Sequence, residues 1–190
     1  TGLPMFAALI LFIYGFTVFK ATIPSFIPFS WDQTMDRWDV ALHFGYRPWE
    51  LLQPVLGHPL ITMALNVNYN LWFFVMNMFW VYYAFLSKPS AERTRFFVAF
   101  MLIWSLGGTL AAIFSSSAGP CFYGRIGLSP DPYAPLMAYL NHVHDIYPLW
   151  ALDTQNMLWD YRSAGSVFGG ISAMPSMHNA TTLLFVLTAW

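Results

Sequence analysis

The chain has 190 residues, of which 57% are hydrophobic, 19% are aromatic and only 9% are charged. Soluble domains carry about 25% charged residues, so this composition and a mean hydropathy of +0.51 indicate a membrane protein. The net charge of −1 argues against nucleic-acid binding, and the single cysteine excludes an internal disulfide and a multi-cysteine metal site.

Four stretches without acidic or basic residues are long enough, or nearly so, to cross a bilayer, which takes about 20 mostly apolar residues. They cover residues 3–19, 60–86, 96–115 and 173–190. In the second stretch, Asn66, Asn70 and Asn77 share one helix face by their spacing and are expected to point into a bundle. In the third, the pair Gly107 and Gly108 permits close contact between helices. We therefore predict an all-α integral membrane domain over residues 1–190 with four transmembrane helices.

The charges of the connecting segments predict the orientation of these helices. The loop of residues 87–95 holds three of the eight basic residues, and short basic loops stay in the cytoplasm. The segments 21–59 and 116–172 are then expected on the non-cytoplasmic face. His178, at the start of the fourth span, would lie on that same face.

The segment 21–59 has the pattern of an amphipathic interfacial helix. A capping-box sequence begins at Ser30, and apolar side chains at helical spacing follow over residues 31–44. Asp32, Asp36 and Asp39 are interleaved and are expected on the water-facing side.

Prolines punctuate the rest of both outer segments. Pro48 suits the first turn of a second short helix. The segment 116–172 contains five prolines and many aromatic residues, which predicts short helices that cover the mouth of the bundle.

The most informative segment runs from Ser172 to His178, immediately before an apolar helix. Helix N-termini present unpaired N–H groups and the positive end of the helix dipole, which suit them to bind phosphate. Ser176 is a candidate phosphate contact, and a histidine in the first turn can transfer a proton to or from the bound group. The alternative is an ordinary helix start with an inert, hydrogen-bonded histidine.

A second candidate segment follows the third span and includes Gly119 and Gly124, which let a ligand approach the backbone closely. Arg125 could clamp a phosphate with two hydrogen bonds, and Tyr123 is a further candidate substrate contact. The alternative is a helix-ending turn with an arginine that extends to the interface. Because both candidate segments are expected on one face, together they favour a phosphate pocket.

Metal binding is the weaker interpretation of a third cluster. His142, His144 and Asp145 have a spacing that could hold a metal ion, but no further ligand cluster is close in the sequence. We therefore predict no metal site and no cofactor.

Several motifs together resemble a known family. They are Phe29-Ser30-Trp31-Asp32, Leu42-His43-Phe44-Gly45 with Pro48-Trp49-Glu50, Tyr69-Asn70-Leu71-Trp72-Phe73, Ser117-Ala118-Gly119-Pro120-Cys121-Phe122-Tyr123 and Ala173-Met174-Pro175-Ser176-Met177-His178. This set resembles the type 2 phosphatidic acid phosphatase superfamily and, more narrowly, its inositolphosphorylceramide-synthase-like branch.

The resemblance implies a bundle of six membrane helices, four of which this chain would supply, and a site near the membrane surface. In such enzymes a histidine attacks phosphorus and becomes phosphorylated, while a separate histidine in a Pro-Ser-x-His motif protonates the leaving group. His178 matches the second role and Ser176 matches a phosphate contact. Arg125 is a candidate clamp by its position only.

Two departures from the superfamily pattern bear on activity. Val40 stands where a lysine is expected ahead of Arg47-Pro48, and no histidine in residues 1–190 precedes an aspartate by four positions. That last pattern would supply the nucleophile. The expectation is that the protein continues beyond Trp190 or is a non-catalytic relative.

Two functions follow from the sequence. The first is an integral membrane phosphatase or phosphotransferase that acts on a membrane lipid substrate at the non-cytoplasmic face through a phospho-histidine. The alternative is a non-catalytic accessory subunit of a larger membrane complex. Assembly into such a complex or a homo-oligomer is compatible with the sequence.

Overall fold

A computed structural model describes residues 2–86, 88–166 and 168–189, and within these ranges the chain is helical and contains no strand. This confirms the predicted all-α class. The helices are α1 (Gly2–Phe26), α2 (Asp32–Leu42), α3 (Pro48–Leu56), α4 (Pro59–Val81), α5 (Ala91–Leu102), α6 (Ala112–Phe114), α7 (Ala134–Ile146), α8 (Trp150–Ser163) and α9 (Met177–Ala189). A π-helical stretch, Ile103–Ala111, joins α5 to α6, and another, Tyr82–Leu86, extends α4.

Two of the described helices are long and apolar enough to cross a membrane, Gly2–Pro24 and Ala91–Phe114. They coincide with the first and third predicted spans. The helix α4 with its extension coincides with the second predicted span, and α9 lies within the fourth. The total of four spans stays a prediction.

An aromatic core joins α1, α4, α5 and α9. Its buried members include Phe96 and Phe100 of α5, Trp80 of α4 and Phe185 of α9. Tyr83 stacks on Phe96 with ring centroids 4.2 Å apart. Rings of this size bury a large apolar area and prefer such offset contacts, so the four helices form one packed unit.

Gly108 allows two other helices to approach the π-helical stretch. A Cβ atom at this position would lie 2.7 Å from both the Phe16 ring of α1 and the Met177 sulfur of α9. The expected role of the glycine pair in close packing is confirmed for Gly108, whereas a Cβ at Gly107 would make only an ordinary contact with Met177 at 3.5 Å. This contact brings α1 and the start of α9 to the same part of the bundle.

The two ends of α1 mark opposite ends of the bundle. Near its start, the Arg93 guanidinium lies 3.2 Å from the Met5 sulfur, beside the basic loop. Near its end, the Gly170 backbone packs on Lys20 and Ala21. Fifteen residues of helix span about 22 Å, so the segment that leads to His178 is far from the basic loop. Which end faces the cytoplasm stays a prediction.

Some local predictions are confirmed and others are wrong. Helices α2 and α3 lie where they were expected, but the Ser30 capping box does not form. Instead, the Ser30 and Trp31 N–H groups donate to the Ser116 carbonyl at 3.0 and 3.1 Å. A one-sided cap forms at α3 instead, where the Glu50 carboxylate accepts the Arg47 N–H at 2.8 Å.

The prediction for the asparagines of α4 is confirmed only in part. Asn66 is buried and accepts the Ala151 N–H of α8 at 3.1 Å, and the Asn70 amide donates to the Asn66 carbonyl. Asn77 is exposed and donates to the Phe73 carbonyl of its own helix. The expectation that Asn77 points into the bundle is therefore wrong.

Candidate functional site

The Asp32 carboxylate is the buried centre of the loop that follows α6. Its residue is only 5% exposed, and it accepts the Ser117 hydroxyl at 2.8 Å, the Ala118 N–H at 3.1 Å and the Gly119 N–H at 2.7 Å. A buried carboxylate needs such donors, because burial without them is costly. The expectation that Asp32 faces water is wrong, because the first turn of α2 directs it into this loop.

The same loop contacts the segment that precedes His178. The Ala173 N–H donates to the Ser117 carbonyl at 2.9 Å. Gly119 has a φ of +92°, and a Cβ there would lie 2.7 Å from the Ala173 Cβ. The loop is therefore held between Asp32 on one side and Ala173 on the other, so Asp32 supports the backbone five residues before His178.

Substitution of Gly119 by alanine is expected to destabilise the protein more than the same change at Gly127. Both glycines have a positive φ, +92° and +85°, and Gly119 also has a ψ of 170°, a backbone region essentially confined to glycine that costs another residue about 1–3 kcal/mol. Only Gly119 has a neighbour in the way, and overpacking adds about 1–3 kcal/mol. Thermal unfolding of both variants in detergent measures the difference, and equal midpoints would show that the Ala173 contact is not tight.

His178 lies in the first turn of α9, among the aromatic side chains of α4. Its ring centroid lies 4.5 Å from that of Tyr69, 4.1 Å from that of Trp72 and 5.6 Å from that of Phe73. The residue as a whole is half-buried. Its Nε2 atom is buried and has no hydrogen-bond partner among the residues that the structure describes. The aromatic rings therefore fix the orientation of an imidazole that keeps one nitrogen available.

Ser172 and Ser176 lie on the same segment as His178. Ser176 immediately precedes α9, and its hydroxyl accepts the Asn179 N–H at 3.4 Å. The Ser172 hydroxyl donates to the Met174 carbonyl at 3.1 Å. The structure therefore places these three candidate residues along one turn and helix start.

Arg125 and Tyr123 make their contacts elsewhere. Arg125 is exposed, donates to the Asn156 side chain at 2.7 Å and lies over the Trp159 ring. Tyr123 is buried against Tyr133. None of these contacts involves residues 172–178, so the structure does not bring these two side chains to His178.

Cys121 links the two candidate segments. It packs against the buried cluster of Ala118, Phe122 and Ile171, and Ile171 immediately precedes Ser172. Burial raises the pKa of the Cys121 thiol to about 11. The thiol is therefore protonated at neutral pH and unsuited to act as a nucleophile.

A second polar cluster joins α2, α3 and the start of α7. Arg47 binds the Asp36 carboxylate through two nitrogens at 2.6 and 3.0 Å, and the Tyr133 hydroxyl donates to it at 3.0 Å. Burial acts to raise the pKa of Asp36, but the bonds from Arg47 and Tyr133 outweigh it and lower the pKa. A cavity of about 470 Å³ adjoins this cluster and is also lined by Arg37 and Tyr123.

This cluster predicts a pH-dependent contribution to stability. The pKa of Asp36 in the folded protein lies below its ordinary value of 3.8, so its stabilisation is present above that value and is lost as the pH falls further. Asp36→Asn is expected to lower the free energy of unfolding by about 1–3 kcal/mol at pH 7. The difference from wild type in thermal midpoint should shrink below about pH 4. A difference that stays constant from pH 7 to pH 3 would contradict this.

His144, one of the histidines considered as metal ligands, has other contacts. The His144 Nδ1 accepts the Leu149 N–H at 2.9 Å, and its Nε2 lies 3.7 Å from the Asp153 carboxylate. These bonds support the turn between α7 and α8. Among residues 2–86, 88–166 and 168–189, no group of three or more His, Cys, Asp or Glu side chains is placed to hold a metal ion.

The described residues form a helical bundle with a serine and a histidine together at the start of α9. The model of the PAP2 superfamily matches residues 33–190, so this chain belongs to that superfamily. No curated protein and no solved structure matches the chain. Membership supports a phosphatase-type function on lipid phosphate and, with the two apolar helices, a membrane protein. The narrower branch stays a prediction.

Proposed function

We propose that this protein is an integral membrane phosphatase or phosphotransferase that acts on the phosphate ester of a lipid. The observation that carries the proposal is the Pro175-Ser176-Met177-His178 sequence at the start of α9 in a chain of the PAP2 superfamily. The free N–H groups of this helix start and the Ser176 hydroxyl are suited to bind phosphate oxygens.

In this proposal His178 is the proton donor to the leaving group. A second histidine, distinct from His178, attacks phosphorus, and the bond from phosphorus to the lipid oxygen breaks. The imidazolium of His178 gives its proton to that oxygen. Water or the hydroxyl of an acceptor then gives its proton to the neutral His178 and attacks phosphorus, so that the phosphorus–nitrogen bond breaks and the nucleophilic histidine is regenerated. The unpartnered Nε2 of His178 supports this role, because nothing else in the described structure occupies it.

The other candidate residues take no part in the chemical step at phosphorus. Ser172 lies on the same segment and is a candidate contact for the substrate. The hydrogen bonds and ring contacts described for Arg125 and Tyr123 lie outside that segment, so we assign them no role in the chemical step. The segment that leads to His178 lies far from the basic loop of residues 87–95, which supports a site on the non-cytoplasmic face.

The test uses the full-length protein reconstituted in lipid vesicles with EDTA present. Phosphatidic acid, a sphingoid phosphate and a polyprenyl phosphate, each labelled with ³²P, are supplied with and without a polyol acceptor. Release of labelled inorganic phosphate, or formation of a labelled phosphate monoester of the polyol, supports the proposal. A folded protein that turns over none of these lipids, and that purifies with a stoichiometric partner, would overturn it in favour of an accessory role.

A further inference from the structure

Lys20 is the one charged residue in the sequence of α1. It is half-buried, and its Nζ lies 5.9 Å from the centroid of the Phe16 ring one turn earlier. No acidic side chain of the described structure pairs with it. A charge inside an apolar helix is costly and marks a functional position by default. The question is therefore which negative group pairs with Lys20.

The position of Lys20 is defined by the segment that leads to His178. A Cβ at Gly170 would lie 3.2 Å from the Ala21 nitrogen and 3.4 Å from the Lys20 carbonyl carbon. The backbone of this segment therefore rests on the turn of α1 that carries Lys20. One helical turn before Lys20, Phe16 of α1 meets Met177 of α9 at Gly108, and Met177 immediately precedes His178.

Lys20 and His178 flank the same contact, because the Phe16 ring near the Lys20 Nζ and the Met177 sulfur next to His178 both lie against Gly108. The aromatic rings of Tyr69, Trp72 and Phe73 surround that imidazole on the α4 side and carry no charge. The Lys20 turn of α1 and the His178 turn of α9, where Nε2 has no partner among the described residues, thus meet in one part of the bundle.

We propose that Lys20 is a substrate-binding residue whose ammonium binds the phosphate oxygens of the lipid that His178 protonates. This inference rests on the proposed function. A phosphate group offers only acceptors and a negative charge, so it satisfies the ammonium, which has three donors and no acceptor. The same anion also offsets the repulsion between Lys20 and a protonated His178.

The experiment compares Lys20→Met, Lys20→Gln and Lys20→Arg with Lys88→Met, which removes an exposed lysine at the opposite end of the bundle. Turnover of ³²P-labelled phosphatidic acid by the full-length protein in vesicles gives KM and kcat. Inorganic phosphate is tested as a competitive inhibitor. Loss of Lys20 is expected to raise KM and the inhibition constant of phosphate about ten- to hundredfold, and arginine should restore most of the affinity.

The outcomes separate this inference from the proposed function. If wild type is active, His178 variants are inactive and both neutral Lys20 variants keep a wild-type KM, the Lys20 inference is wrong and the function stands. A raised KM for the lipid with unchanged inhibition by phosphate would also overturn it, because Lys20 would then contact another part of the headgroup. If wild type shows no turnover, both proposals fail.

Discussion

Replacement of His178 by glutamine is expected to lower kcat for lipid-phosphate turnover by about 10²–10⁴-fold, the usual contribution of a general acid. Glutamine keeps a polar side chain at the start of α9 but cannot donate a proton to the leaving oxygen at neutral pH. The ring contacts with Tyr69 and Trp72 are lost, at about 0.5–1.5 kcal/mol each. The variant should still insert, and initial rates at equal amounts of folded protein measure the effect.

A matched control is His58→Gln at the start of α4. His58 also precedes a helix, where its Nδ1 accepts the Leu60 N–H at 3.3 Å, but it is exposed. We expect its kcat to equal that of wild type. Unchanged turnover in His178→Gln would show that this imidazole is not catalytic.

Variation of the leaving group distinguishes proton donation from a structural role. A phosphate ester of an acidic phenol needs little protonation as it departs, so the defect of His178→Gln should shrink with such a substrate. A defect of the same size with both leaving groups would indicate that the ring only supports the helix start.

The apolar helices could be predicted from the sequence because their signal is local. The uncharged runs of residues 3–19 and 96–115 predicted the two helices that the structure shows at Gly2–Pro24 and Ala91–Phe114. Proline at a first turn located α3 for the same reason, since its fixed φ and missing N–H act at that residue alone. The Gly108 contact also followed from residue type, because only a missing side chain permits such an approach.

The candidate site depends on contacts between distant segments, which the sequence could not provide. By helical spacing Asp32 belongs with Asp36 and Asp39, yet its three donors come from a loop 85 to 87 residues away. Arg125 binds Asn156, 31 residues later. The sequence did contain both the Asp32 motif and the Ser117 motif. Their presence in one chain did not show that the Asp32 carboxylate contacts the loop that begins at Ser117.

Substitution of Asp32 by alanine is expected to have the largest effect on stability. It leaves the Ser117 hydroxyl and the Ala118 and Gly119 N–H groups buried without an acceptor, each at about 1–3 kcal/mol. Asparagine should be intermediate, because its oxygen can replace Oδ1, which accepts two of these donors, whereas its NH₂ group cannot accept the third. Thermal midpoints in detergent should therefore fall in the order wild type, Asp32→Asn, Asp32→Ala.

Activity should fall together with this stability because the loop positions Ala173 and hence the start of α9. At a temperature where Asp32→Asn is still folded, we expect its kcat to be reduced more than that of Asp39→Asn, since the Asp39 carboxylate, on the same helix, makes no hydrogen bond within residues 2–86, 88–166 and 168–189. Because the Asp32 carboxylate acts through the backbone, the loss should not depend on the leaving group, in contrast to the loss in His178→Gln. If Asp32→Ala and Asp39→Asn unfold at the same temperature, the loop does not depend on this carboxylate.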